Sequence, residues 1–252
     1  MPRPPSLLAR SLEPLISALW LFFIVWTVVV AALWLGIEDA VPSIANGSLR
    51  AAATIIVKAS DTLWLVLGAG NLYLHLAEKE GLGRARVVAL VIGVASSAIA
   101  GCSAWTSYPL GAAFYTTHLG MKLGPVPLGW PLLWFIIIIG GRELAGKVFR
   151  RASHQTLALL TGGLATLTAF NIEPIATKLR LYWFWYVAGS HQPSPPLWRN
   201  YATWFALAWL LAWFIRDQRL GSLRPPSWRP GLVLVIVNGM LLLGRVRAAL
   251  AS

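Results

Sequence analysis

The sequence predicts an all-α fold: a polytopic bundle of transmembrane helices that forms one integral membrane domain over residues 1–252. Three observations support this prediction. Hydrophobic residues make up 57% of the chain and charged residues only 12%, so a water-soluble fold of this length could not hide its apolar surface. The apolar residues form long runs, and the basic residues gather between those runs, where membrane topology explains them.

Seven apolar segments follow one another along the chain. The first lacks any charge over the roughly 20 residues that a membrane-crossing helix needs. It is rich in Trp and Phe and no small-residue cleavage site follows it, so we expect it to be retained rather than removed as a signal peptide. The last two segments are short, and six spans are the alternative if the final one lies at the membrane surface. The segments are 15–36, 51–77, 87–107, 128–148, 156–172, 200–215 and 231–244.

The distribution of Lys and Arg predicts the orientation. When the connections are assigned to alternate sides, the side of the N-terminus carries more basic residues, which predicts a cytoplasmic N-terminus. The protein is therefore expected to be multi-pass and integral to the cell membrane, either an inner or a photosynthetic membrane. Anionic headgroups account for the net charge of +12, so nucleic acid is not an expected partner.

Two connections differ from simple turns. Residues 107–131 are rich in Gly and Pro yet mostly apolar, which predicts a segment that enters the membrane interface. Residues 178–200 contain the run Tyr-Trp-Phe-Trp-Tyr, which favours a helix lying at the level of the headgroups. The predicted topology places both connections on the outer face.

Three acidic residues lie at membrane depth, where an ionisable group is costly and is a candidate for function. Asp61 follows Lys58 by three residues, so an ion pair on one helical face and a catalytic role are both open. For Glu143, a structural partner on another helix is favoured over catalysis. Glu173 precedes a proline at the end of the fifth span, where it faces a cavity or caps the next segment.

Metal and cofactor chemistry are not expected. The histidines lack the spacing of a metal-binding pair on one helix, and the single Cys102 excludes an internal disulfide. His118 and His191 fall in the two unusual connections, where an interfacial anchor is favoured over a ligand contact. The 14 Trp residues exceed what interfacial belts require, and flat aromatic faces suit a polyene or a carbocation.

Three stretches of the chain resemble the membrane-bound carotenoid biosynthesis family, which includes hydratases acting on acyclic carotenoid ends. The first stretch runs from Pro109 to Phe135 and contains Phe-Tyr-Thr-Thr, Leu-Gly, Val-Pro and Trp. The second is Ile-Glu-Pro-Ile-Ala, around Glu173. The third is Tyr-Trp-Phe-Trp leading to Arg-Asn-Tyr-Ala-Thr-Trp-Phe. The resemblance covers about residues 61–214.

The resemblance implies that water adds across the terminal double bond of a ψ end group to give a tertiary alcohol. It implies Glu173 and Asp61 as proton donor or water-orienting base, and Tyr115 and Asn200 as their hydrogen-bonding partners. A carotenoid or similar polyene is the implied partner, and no cofactor is implied. The residues expected to line the substrate or pigment are His118, Trp134, Trp183, Trp185 and Trp204.

Three positions depart from the family pattern. Ala100, Ala113 and Thr117 stand where the family has an acid, a tyrosine and a second acid. The alternative function is therefore a non-catalytic, carotenoid-binding or structural subunit of a membrane complex, for example a photosynthetic one with further protein partners. A transporter is less favoured, because the sequence shows no internal repeat of the kind that transporters carry.

Overall fold

The structure of the chain, a computed structural model, describes residues 7–190, 192–215 and 227–250. It is 77% helical, and the prediction of an all-α fold is confirmed. Six of the seven predicted segments fall on one helix each, and the segment 128–148 falls on two helices joined by a π-helical turn. His191 and most of the basic connection that follows the sixth segment, residues 216–226, lie outside the described residues.

The helices are connected in part by short irregular turns. A 3-10 helix, Ile37–Ser43, joins the first two helices, and π-helical turns at Ile136–Gly140 and Ile175–Leu179 follow the fourth and sixth. The helices are α1 (Leu7–Trp34), α2 (Gly47–Glu80), α3 (Leu82–Thr106), α4 (Gly129–Phe135), α5 (Gly141–Val148), α6 (His154–Pro174), α7 (Trp198–Phe214) and α8 (Arg229–Leu250).

Among the described residues, four helices have the length and apolar composition to cross a membrane. They include α8, the segment for which an interfacial position is the alternative to a span. Their apolar side chains point outward in large numbers, as expected of lipid-facing surfaces. The four stretches are Glu13–Trp34, Gly47–Glu80, Leu82–Thr106 and Arg229–Leu250.

Helices α4 and α5 form the centre of the bundle. The turn Ile136–Gly140 joins them without a break, and its four isoleucines are at most 3% exposed. Helices α2, α3, α6, α7 and α8 pack around this central segment. Because it is enclosed by protein, its apolar residues on all sides agree with a buried helix.

The two unusual connections pair with each other. Strand β1 (Ala112–Tyr115) lies antiparallel to β4 (Trp183–Tyr186), and β2 (Lys122–Leu123) pairs with β3 (Val126–Pro127). The predicted interfacial helix at the Tyr-Trp-Phe-Trp-Tyr run is therefore wrong. Aromatic residues also favour strands, and the alternation of a strand places Trp183 and Trp185 together on the buried side.

Glu143 has the structural partners that the sequence favours. Its Oε1 accepts a hydrogen bond of 2.7 Å from Lys79 Nζ on α2, and its Oε2 lies 3.8 Å from His75 Nε2. The prediction of a partner on another helix is confirmed. The ion pair ties the first turn of α5 to the last turn of α2, away from the two paired connections.

Candidate functional site

Five aromatic side chains form a contiguous, buried cluster where the β1–β4 sheet meets α4 and α7. Neighbouring ring centroids lie 4.8 to 6.3 Å apart, mostly edge to face, which is a favoured geometry for aromatic pairs. We call this group the aromatic cluster. Its members are Tyr115, Trp130, Trp134, Trp183 and Trp204.

Simple periodicities bring the cluster together. Trp130 and Trp134 are four residues apart on α4, and Asn200 and Trp204 are four apart on α7, so each pair shares a helical face. Tyr115 lies directly opposite Trp183 in the sheet. The cluster thus depends on three separate elements being packed correctly.

Glu173, at the end of α6, points into this aromatic environment and is only 5% exposed. The indole N–H of Trp183 donates to its Oε1 at 3.2 Å, and the indole N–H of Trp185 donates to the same oxygen. The amide of Asn200 faces the carboxyl group without forming a hydrogen bond of good geometry. The acid is thus oriented through one oxygen, because both indole donors converge on Oε1.

Several buried polar atoms around the aromatic cluster lack a hydrogen-bond partner within the part of the chain that the structure describes. They are the hydroxyl of Tyr115, both side-chain polar atoms of Asn200 and the indole nitrogen of Trp134. Such atoms cost free energy unless a water molecule or a ligand satisfies them. Burial raises the pKa of the Tyr115 hydroxyl well above its usual range, so it stays a hydrogen-bond donor at physiological pH.

Asp61 occupies a different environment. Its Oδ2 accepts hydrogen bonds from Arg180 Nε at 2.8 Å and Nη2 at 2.7 Å, and its Oδ1 accepts one of 2.9 Å from Trp34 Nε1. The alternative in which Asp61 pairs with Lys58 is wrong, because Lys58 is exposed and Asp61 pairs with Arg180 instead. Both carboxylate oxygens of Asp61 are therefore engaged.

A small cavity of about 10 Å³ lies beside Asp61 and has room for about one water molecule. Ile172, Leu133 and Tyr182 line it, and each is the direct sequence neighbour of a residue at the aromatic site. Three elements therefore border both places: helix α6, helix α4 and the segment before β4. Each places one residue at the cavity and the next residue at the aromatic site. Asp61 and Glu173 share no hydrogen-bond partner among the described residues.

The structure brings most of the predicted site residues together. Asp61 lies at the separate cavity, and His118 is exposed, with its Nδ1 donating to the carbonyl oxygen of Arg180 at 2.9 Å. His118 therefore does not line the aromatic cluster. The residues that gather around the buried carboxyl group of Glu173 are Tyr115, Asn200, Trp134, Trp183, Trp185 and Trp204.

Trp130 is the member of the cluster that sequence analysis missed. Its ring contacts those of all four other members, and its Nε1 donates to the Ser96 carbonyl oxygen at 3.1 Å. Its spacing of four residues from Trp134, at the start of a helix, is the signal that would have identified it.

The three positions at which the sequence departs from the expected pattern differ in burial. Ala100 and Ala113 are buried, whereas Thr117 is exposed.

We expect Gly111→Ala to displace the Trp185 ring. Gly111 has a φ of +132°, and a Cβ there would lie 3.2 Å from Trp185 Cζ3. The variant should weaken the hydrogen bond from Trp185 to Glu173, as seen in the indole N–H resonance of Trp185 and in the near-UV circular dichroism.

Gly124→Ala is the matched control. Gly124 also has a positive φ, of +61°, but among the described residues nothing beyond its two chain neighbours lies within 4 Å of a Cβ built there. Both substitutions carry a backbone cost of about 1–3 kcal/mol, so a difference between them isolates the contact with Trp185. Equal spectra for the two variants would contradict the prediction.

One comparison with known proteins identifies a family. The family model described as "Carotenoid biosynthesis protein" matches residues 60–249. This range covers α2 from Ser60 onward and all the elements that form the aromatic site. No curated protein and no solved structure matches the chain.

Proposed function

Because the chain belongs to the carotenoid biosynthesis protein family, we propose that it hydrates the terminal C=C bond of an acyclic carotenoid with a ψ end group. The observation that carries this proposal is the buried carboxyl of Glu173, which two indole N–H groups hold through one oxygen inside an aromatic environment. A buried acid can supply a proton, and the aromatic faces beside it can stabilise the cation that forms.

In the proposed reaction, Glu173 is the general acid. The two indole donors require Oε1 to be the accepting oxygen, so the transferable proton is placed on Oε2. That proton forms a new C–H bond at the less substituted carbon of the double bond. The positive charge develops on the tertiary carbon, next to the faces of the aromatic cluster.

A water molecule completes the reaction by forming a C–O bond with the tertiary carbon. The hydroxyl of Tyr115 and the amide of Asn200 are suited to hold this water, because their buried polar atoms lack hydrogen-bond partners among the described residues. As the C–O bond forms, the water gives up one proton to the carboxylate of Glu173. The acid is thereby restored, and no other reactant is consumed.

Asp61 is not proposed as the proton donor. Its carboxylate is in an ion pair with Arg180 and accepts a hydrogen bond from Trp34, so both of its oxygens are already engaged by fixed donors. The role suited to Asp61 is to support the connection that follows Glu173.

We propose a multi-pass placement with seven spans and a cytoplasmic N-terminus. The paired connections and the aromatic site then lie toward the outer face of an inner or photosynthetic membrane. Four helices of sufficient length and apolar character support the membrane placement, and the excess of Lys and Arg on the N-terminal side supports the orientation. A hydrocarbon substrate dissolved in the bilayer is consistent with a site built mainly from aromatic side chains.

A non-catalytic pigment-binding subunit is the second candidate. The buried residues Ala100 and Ala113 favour it, because they place methyl groups where the family pattern has an acid and a phenol. On this alternative, the aromatic cluster packs against a bound polyene within a larger membrane complex, and no proton is transferred.

Pigment analysis separates the two candidates. Cells that accumulate acyclic carotenoids are compared with and without the protein, and the purified protein is analysed for bound pigment. A product heavier than the substrate by one water supports the hydratase. Unmodified carotenoid that copurifies with the protein, without any such product, supports the pigment-binding subunit.

A further inference from the structure

Arg180 lies at the centre of a largely buried ion-pair cluster. Its guanidinium contacts the carboxylates of Asp61 on α2 and Glu38 in the 3-10 helix. Burial alone would lower the pKa of Arg180, but the charge of Asp61 and the contact with Glu38 raise it above its usual range. The guanidinium therefore remains charged, and it joins two elements that precede the site in the chain.

The same residue belongs to the short segment that connects Glu173 to strand β4. Its backbone N–H donates to the carbonyl oxygen of Ile175 at 2.7 Å, and its carbonyl oxygen accepts a hydrogen bond from His118. Trp183, three residues later, donates to Glu173. The side chain of Arg180 thus fixes the segment between the acid and the strand that orients the acid.

Leu181, directly after Arg180, has a left-handed backbone with a φ of 51°. A non-glycine residue adopts this conformation only where its surroundings enforce it. The Thr116 hydroxyl donates to the Leu181 carbonyl oxygen, and the Thr116 N–H donates to that of Tyr182 at 2.9 Å. Arg180 anchors one side of this turn, and Thr116 anchors the other.

We propose that Arg180 is a positioning residue for Glu173, and that the cluster of Glu38, Asp61 and Arg180 sets where Trp183 and Trp185 hold the carboxyl group. The cluster transmits the position of α2 and of the 3-10 helix to strand β4. This inference deepens the proposed function and rests on it for the prediction about turnover. The structural part of the inference concerns only the indole N–H groups of Trp183 and Trp185, whatever the turnover.

The test uses the full-length protein in lipid nanodiscs with ¹⁵N-labelled tryptophan. The indole N–H resonances of Trp183 and Trp185 are assigned from the Trp183→Phe and Trp185→Phe variants. Arg180→Gln is expected to move both resonances and to lower kcat about 10- to 100-fold with little change in KM, as expected when a reacting group is misplaced. Arg180→Lys, which keeps the charge, should restore part of both signals.

Arg247→Gln is the matched control. Arg247 also binds an acid of the 3-10 helix, with its Nη2 2.9 Å from Asp39 Oδ2, but it lies on α8 and not between Glu173 and strand β4. It should move the two resonances and lower kcat much less than Arg180→Gln does. If Arg180→Gln does not accumulate, Glu38→Gln is used instead, because it removes one of the two carboxylates that contact Arg180. It should move the same two indole resonances, by a smaller amount than is expected for Arg180→Gln.

The inference is overturned by unchanged resonances in Arg180→Gln, and equally by equal shifts in Arg180→Gln and Arg247→Gln. A shift of both resonances together with normal turnover would also overturn it, because the position of the acid would then not matter. If the wild-type protein yields no hydrated product, the proposed function fails, while the two indole resonances still decide the structural part.

Discussion

The Glu173→Gln variant is expected to lose hydration activity by at least about 100-fold while it still folds, since positioned general acids contribute about 10²- to 10⁴-fold. The amide keeps an oxygen that accepts the hydrogen bonds from Trp183 and Trp185. It has no transferable proton, so the tertiary cation does not form. The measurement is the yield of hydrated carotenoid per amount of folded protein in membranes.

Glu13→Gln provides the control for this prediction. Glu13 is an exposed acid on α1, so its loss should leave turnover unchanged. Asp61→Asn gives a second comparison, because it breaks the pair with Arg180 without removing the proposed proton donor. An Asp61→Asn variant that is inactive beside a fully active Glu173→Gln variant would reverse the assignment of the acid.

The helices could be predicted from the sequence because apolar segments recur along the chain, and most of them are long enough to cross a membrane. Their ends were less predictable: α2 begins at Gly47 and ends at Glu80, beyond the apolar segment at 51–77. Asn46 caps its start by accepting a hydrogen bond from the N–H of Leu49, a local signal that hydropathy alone does not register.

The site was predicted unevenly for a physical reason. Glu173 and its tryptophans share a short stretch of chain, so the acid and its donors are visible together in the sequence. The partner of Asp61 is 119 residues away, and no local pattern indicates such a contact. The nearby Lys58 therefore looked like a suitable partner, although the fold selects Arg180.

Strand β4 illustrates a second limit of sequence patterns. A run of consecutive aromatic residues fits both an interfacial helix and a strand, and only the presence of a pairing partner decides between them. That partner, Ala112–Tyr115, lies in the other unusual connection. Pairing also gives the alternation that directs Trp183 and Trp185 toward Glu173, so the position of the acid depends on a long-range contact.

Gly129→Ala is expected to destabilise the protein by about 3 kcal/mol, the upper part of the range for overpacking a buried site. The connection returns onto α4 at this position, where the Gly129 N–H donates to the Leu119 carbonyl oxygen at 2.9 Å. A Cβ on Gly129 would overlap that oxygen and lie 2.7 Å from Leu119 Cγ. Because backbone atoms cannot turn aside like a flexible side chain, either the connection or the start of α4 must move.

The displacement should reach the aromatic cluster, because Trp130 follows Gly129 directly and contacts all four other members. Gly163→Ala on α6 is the matched control, since among the described residues nothing beyond the local backbone of α6 and the two chain neighbours lies within 4 Å of a Cβ built there. Alanine should stabilise that helix by up to about 1 kcal/mol. Thermal unfolding in nanodiscs compares the two variants, and a Tm for Gly129→Ala equal to that for Gly163→Ala would show that the connection does not rest on α4 as described.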